Sequence, residues 1–198
     1  MAVYRVEGCK WNCYPGTTVL INKLDIRDQA ELDAVEKQIT LLRGTQAEQD
    51  ISFHEADFEF YKGLHRLLFG DLYDWAGKLR DINISKKGTV FCGYTELESI
   101  GCLKFERLRA QNYLCGMTED KFLDELTELY HELNMLHPFR EGNGRTLRLF
   151  ITLLVRNAGY DVDFSQCDGD MLAIATIKAA QGDMTVLREV LGSIVTKT

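Results

Sequence analysis

The sequence predicts an all-α fold carrying one β-hairpin, on three observations. Only two prolines, Pro15 and Pro138, interrupt 198 residues, so few positions forbid a helix. Along most of the chain apolar residues recur at three and four positions, the spacing that lines one face of a helix. A single stretch, residues 81–92, instead alternates apolar and polar side chains around a turn.

The elements follow in order. After Tyr14-Pro15-Gly16, residues 27–43 read as a helix with Leu32, Val35, Ile39 and Leu42 on its buried stripe and Gly44 as its stop. Residues 56–73 give a second helix through Phe58, Tyr61, Leu64 and Leu68. Within 81–92, Ile82 and Ile84 alternate with polar neighbours, Lys86-Lys87-Gly88 supplies the turn, and Thr89-Val90-Phe91 returns. Such a hairpin must lean on helices, and its edge can accept an extended strand from another chain. Thr118 is placed to cap a helix whose first turn holds Glu119 and Asp120. Its stripe is Phe122, Leu126, Leu129, Leu133 and Leu136, and it runs towards His137. The next helix, 146–157, is buried through Leu147, Phe150, Ile151 and Leu154 and stops near Gly159. Residues 171–180 and 184–195 close the chain as helices.

Thirty acidic residues against 23 basic ones give a net charge of -7, which repels phosphate backbones and anionic lipid. Nucleic-acid and membrane-surface roles are therefore set aside. The longest apolar run, residues 149–155, is far too short to span a bilayer, and a cytoplasmic protein is expected. Six cysteines at 9, 13, 92, 102, 115 and 167 show neither C-x-x-C pairs nor a disulfide framework. Free thiols are expected. Cys9 and Cys13 stand four apart, but no second Cys or His pair follows at zinc-site spacing.

The chemistry is concentrated between the two central helices, in His137-Pro138-Phe139-Arg140-Glu141-Gly142-Asn143-Gly144-Arg145-Thr146-Leu147-Arg148. His137 continues the face of Phe122 and Leu133, so its imidazole projects from the buried stripe into the turn, where a neutral ring can act as base. Gly142, Asn143 and Gly144 permit positive φ and bring main-chain N–H groups together before a helix start, an arrangement suited to phosphate. Arg145 and Arg148 lie three apart at the end of a helix that disfavours cations, a conflict that a multiply charged anion resolves. Glu141 supplies a hard oxygen beside them. Taken singly, each has a plain structural reading: a packed histidine, an ordinary turn, surface ion pairs, and Phe139 as core. The combination of fixed types in one window is what carries the signal.

This segment resembles the Fic family signature His-x-Phe-x-Asp/Glu-Gly-Asn-Gly-Arg-x-x-Arg at every specified position. Upstream, His65, Leu68, Phe69, Asp74-Trp75-Ala76-Gly77 and Arg80 resemble the family's preceding helix, and Ile84, Lys86, Thr89 and Phe91 resemble its substrate flap. The resemblance covers roughly residues 50–195 and divides the chain into an N-terminal extension, 1–49, and a Fic core, 50–198. It implies a Fic-type helical fold with the hairpin as a flap over the active site, and transfer of AMP from ATP to a protein hydroxyl with magnesium as cofactor. On this resemblance His137 is the base, Glu141 holds magnesium, and Gly142, Asn143 and Gly144 cradle phosphates. Arg145 and Arg148 take the β- and γ-phosphates, Lys86 and Thr89 contact the nucleotide from the flap, and Phe139 anchors the loop. Lys87 departs from the glycine common after the flap lysine.

The implied partner is a target protein docking a Ser, Thr or Tyr on hairpin 82–91, with room for a regulatory partner or a homo-oligomer. The family often carries an inhibitory Ser/Thr-x-x-x-Glu-Gly/Asn helix. Here Ala30 and Ala34 precede Val35 at that spacing, and Thr185-x-x-x-Glu189 is followed by Val190, so neither is a full match and basal activity is expected. Alternatives are another nucleotidyl or phosphoryl transfer on the same fold, or a non-catalytic binding module.

Overall fold

A computed structural model describes residues 12–53 and 55–198 together with the backbone of Arg5–Val6. The first helix, α1, spans Gln29–Asp50, and Asp28 caps it by accepting a hydrogen bond from the Glu31 amide at 2.9 Å. It runs past Gly44, which the sequence marks as a stop. Beyond that glycine Thr45 bonds back to the Leu41 carbonyl and Ala47 is buried, so packing overrides the local signal. Its inner line also differs from expectation. Leu32 is buried, Val35 and Ile39 lie against the core, but Leu42 is 59% exposed while Glu36 and Thr40 are buried.

Helix α2, Phe58–Phe69, is capped by Asp57 at the Phe60 amide, 2.7 Å. It stops earlier than its apolar run suggests, because Leu72 and Tyr73 both turn back to the Phe69 carbonyl. Strand β1 is Arg5–Val6, β2 is Ile84–Lys86 and β3 is Thr89–Val90. The expected hairpin is β2–β3, with Lys86 opposite Thr89 and Ser85 opposite Val90. Its turn places Lys87 and Gly88 at φ 49° and 85°, the two positive values of a tight two-residue connection. On the other side β1 pairs antiparallel with β2, Arg5 opposite Ser85, a third strand the sequence did not announce.

Helix α3, Leu97–Ala110, has no counterpart in the sequence reading. Only Leu97, Gly101, Phe105 and Leu108 are buried on it, and a Cβ at Gly101 would meet the Phe58 ring at 2.3 Å. Its buried face thus rests on a glycine that reads as a helix weakener. Helices α4, Glu119–Leu136, and α5, Asn143–Asn157, form the centre. α4 packs against α3 and α5, and α5 against α1 and α2. Strand β4, Tyr160–Val162, follows, then α6, Gly169–Ala180, and α7, Thr185–Ile194, both packed on α4. The final helix ends one residue early, and β5, Val195–Lys197, pairs antiparallel with β4.

The main apolar core runs from Ala47 in α1 to Ile194 in α7, with Tyr61 at its middle in ring contact with Phe105, Phe139 and Phe150, while Tyr14, Val19 and Leu32 form a small second cluster. Among the described residues no helix is long and apolar enough to cross a membrane. Cys92, Cys102, Cys115 and Cys167 form no disulfide. Cys9, and with it the Cys9/Cys13 pair, lies outside the described residues.

Candidate active site

α4 ends at Leu136, and His137 takes the left-handed conformation, φ 44° and ψ 58°, that closes a helix. A histidine there is strained and persists only where its surroundings hold it. They do so on every side. The buried Arg80 side chain donates from Nε to the His137 carbonyl at 2.9 Å and from Nη1 to the Ile82 carbonyl at 2.7 Å, while the Pro138 carbonyl accepts the Arg80 amide at 2.9 Å. The same guanidinium reaches the Cys92 carbonyl, so one arginine ties the flap to the end of α4.

His137 is 6% exposed, and its ring stacks on Phe91 of the flap, centroids 3.7 Å apart and planes 12° apart. Its Nδ1 lies 2.9 Å from the Asn134 carbonyl. A carbonyl can only accept, so Nδ1 carries the hydrogen and the basic lone pair sits on Nε2. Burial pushes the ring's pKa down to about 3, against the Asn134 hydrogen bond and helped by the charges of Lys86 and Arg80. The imidazole is therefore neutral over the ordinary pH range.

The turn beyond it is braced from beneath. Phe139 is fully buried, and the Asn143 side chain closes on its backbone twice, Oδ1 accepting from the Phe139 amide and Nδ2 donating to its carbonyl, each at 2.8 Å. His65, inside the core, accepts the Gly77 amide on Nδ1 at 2.8 Å and donates from Nε2 to the Glu141 carbonyl at 3.0 Å. Burial pushes its pKa too down to about 3. Gly142 adopts φ +80°, and a Cβ there would overlap the Phe69 ring at 2.3 Å, so only glycine fits. A Cβ at Gly144 would meet nothing closer than Arg148 Nη1 at 3.5 Å.

Helix α5 starts at Asn143. The Gly142 amide is taken by Glu141 Oε1 at 2.9 Å, whereas the Asn143 and Gly144 amides find no backbone acceptor among the described residues. Those two N–H groups, at the positive end of the helix, are the available anion donors.

A cavity of about 320 Å³ gathers these groups. Its walls include His137, Glu141, Gly142, Gly144, Arg145 and Arg148 from the loop and α5, and Lys86, Thr89 and Phe91 from the flap. Of the nine residues expected to meet the proton, the metal or the nucleotide, Asn143 alone does not line it; its side chain is spent on Phe139. Lys86 is half-buried, which lowers its pKa, opposed by the nearby Glu141 carboxylate. Lys87 lines the same space from the turn. The sequence did not point to Asn134 or to the α6 wall of Ala173, Thr176 and Ile177. None of these has a chemical signature, and only the packing of α6 on α4 brings them there. Arg145 and Arg148 also face a second cavity, about 570 Å³, between α1 and α5. Among the described residues Arg148 makes no ion pair, so neither Glu189 nor any other described carboxylate engages it.

The sequence profile of the Fic/DOC family matches residues 55–155. Among curated proteins, the protein adenylyltransferase VbhT of Bartonella schoenbuchensis is 37% identical over 173 residues, 87% of this chain and 36% of that protein. The present chain thus spans about a third of that relative. The probable protein adenylyltransferase y4lH of Sinorhizobium fredii is 39% identical over 177 residues, 88% of this chain and 90% of its own length. Among solved structures, BepC of Bartonella tribocorum with bound AMPPNP superposes with a TM-score of 0.88 at 25% identity, covering 94% of this chain and 97% of that one. An N-terminal Fic domain from Bartonella quintana with bound ADP gives 0.89 at 25% identity, covering 94% and 95%. With the signature loop seated between α4 and α5 beneath a β-hairpin, and with these matches over most of its length, the chain belongs to the Fic/DOC family.

Proposed function

We propose that this chain is a protein adenylyltransferase that moves AMP from ATP to a hydroxyl side chain of a target protein and releases pyrophosphate. The observation that carries this reading is a buried imidazole, its Nδ1 held against the Asn134 carbonyl, sharing one cavity with two arginines and the start of α5. The names of the relatives, and the ATP analogue and ADP held by two solved neighbours, point the same way.

His137 Nε2 takes the proton of a Ser, Thr or Tyr hydroxyl, the oxygen attacks the α-phosphorus, and the bond to the β-bridging oxygen breaks as pyrophosphate leaves. The Asn143 and Gly144 amides and the two guanidinium groups meet the phosphates. Arg145 takes the β-phosphate and Arg148 the γ, which stabilises the leaving group. Lys86 and Thr89 close on the nucleotide from the flap. Glu141 suits a magnesium ion, since one carboxylate beside phosphate oxygens is the ion's usual protein contribution; when bound, the ion would neutralise phosphate charge. Among the described residues β2 is paired on both edges and β3 on one, so the target segment adds to the outer edge of β3, where Val90 is 71% exposed. The thiols at Cys92, Cys102, Cys115 and Cys167 fit a reducing cytoplasm.

Incubation with α-labelled and γ-labelled ATP tests the reaction. Label reaches protein from the α-labelled nucleotide only, and His137→Ala lowers the rate about 100-fold or more. Transfer of the γ-label, or full activity in the variant, contradicts it.

A further inference from the structure

Glu36 sits in the middle of α1, outside the stretch that matches the family profile, and is only 2% exposed. A buried carboxylate is costly unless both oxygens are satisfied. Here they are: Oε2 accepts the Tyr73 hydroxyl at 2.5 Å and Oε1 accepts Arg145 Nη2 at 2.5 Å. Burial, reinforced by the Glu36 charge, drives the Tyr73 hydroxyl far above its ordinary pKa, so it stays a donor. The Arg145 guanidinium lies over the Phe69 ring, 4.7 Å from its centroid, and the same Nη2 is 3.9 Å from Glu141 Oε1. Both ion pairs thus use one nitrogen. Nε and Nη1 donate no hydrogen bond to protein among the described residues, while the side chain lines the His137 cavity.

A link between α1 and α5 could be made by apolar side chains without burying charge. What an apolar pair could not do is hold a cation at the first turn of α5, where the helix dipole opposes it. We infer that Glu36 is a positioning residue for Arg145: its carboxylate, set by Tyr73, anchors one guanidinium nitrogen and so presents the remaining donors to the phosphate beyond the α-phosphate. The inference rests on the adenylyl-transfer reading for the identity of that ligand. A fixed guanidinium loses less freedom when it binds than a swinging one, so the anchor acts on ADP and ATP and not on AMP.

Calorimetric titration with ADP and with AMP, in magnesium, tests this on wild type, Glu36→Gln and Tyr73→Phe. Glu36→Gln weakens ADP about ten-fold, a charged hydrogen bond's worth, and leaves AMP within about two-fold. Tyr73→Phe, which keeps the ring in the core, weakens ADP about three-fold with AMP unchanged; it carries the comparison if Glu36→Gln does not fold. In an Arg145→Ala background neither substitution lowers ADP affinity further. Equal losses for ADP and AMP would reduce Glu36 to a fold-holding role and overturn the inference. Tighter ADP binding in Glu36→Gln would overturn it in the opposite sense, as a carboxylate that restrains Arg145. If wild type bound neither nucleotide, the adenylyl-transfer reading itself would fall and the inference with it; normal wild-type binding with unaltered variants sinks the inference alone.

Discussion

At the scale of single residues the site depends on two buried histidines that stay neutral for the same reason, desolvation, and use the neutral ring differently. His137 keeps Nε2 basic because Asn134 holds the hydrogen on Nδ1. His65 donates from Nε2 and accepts on Nδ1, which only a neutral imidazole can do, and so supports the Glu141 carbonyl. Both have folded pKa values near 3 against an ordinary 6.5. The sign follows: above pH 6.5 neither state holds the proton, and as pH falls from about 6.5 towards about 3 the unfolded chain takes up one proton at each site while the native chain does not. Their share of stability is full above 6.5 and is lost through that window. The urea midpoint should therefore fall as pH drops from 7 to 5, and fall less steeply in His137→Ala, which has lost one of these two sites. The same slope in His137→Ala as in wild type would show that the ring is not held neutral by burial.

At the scale of elements, the flap is a short strand pair whose outer edge, on the proposed reading, receives the target segment. Phe91 donates to the Ile84 carbonyl and Lys86 lies opposite Thr89; by the alternation of an antiparallel ladder the N–H and C=O of Val90, between them, point away from β2. Val90→Pro removes that outward donor without touching the cavity. It should cut modification of a protein target about ten-fold, by loss of main-chain pairing, with ADP affinity unchanged in the same preparation. An unaffected target rate would move docking elsewhere.

The flap's hairpin was legible because Ile82, Ile84 and Lys86-Lys87-Gly88 carry period and turn within ten residues. The third strand, β1, and the β4–β5 pair were not, since pairings such as Val162 with Val195 join distant segments that have no local turn to announce them. α1 shows the opposite failure. Its apolar spacing points to Leu42, yet the buried line runs through Glu36 and Thr40, and nothing local reveals that Glu36 meets a cation 109 positions away. The signature loop was legible because each role demands a residue type; Ala173, Thr176 and Ile177 line the same cavity without one.

At the scale of the molecule, the active site is a joint between two core helices. α4 delivers His137 at its C-terminal end, α5 delivers the amides and arginines at its N-terminal end, and the aromatic core beneath Phe139 fixes their separation. α1 enters from the chain's N-terminal part through Glu36 and Ala47, α6 closes the far wall, and the sheet lies over the ring of His137. Every one of these placements has meaning only if the nucleotide lies across the joint with its α-phosphorus towards the imidazole. A crystal structure with magnesium and a non-hydrolysable ATP analogue measures this directly. The expected result has the α-phosphorus beside Nε2 of His137, the outer phosphates on Arg145, Arg148 and the α5 amides, and Glu141 on the metal. A triphosphate running the other way, with its γ-phosphorus at the histidine, or bound in the cavity between α1 and α5 alone, would contradict the account.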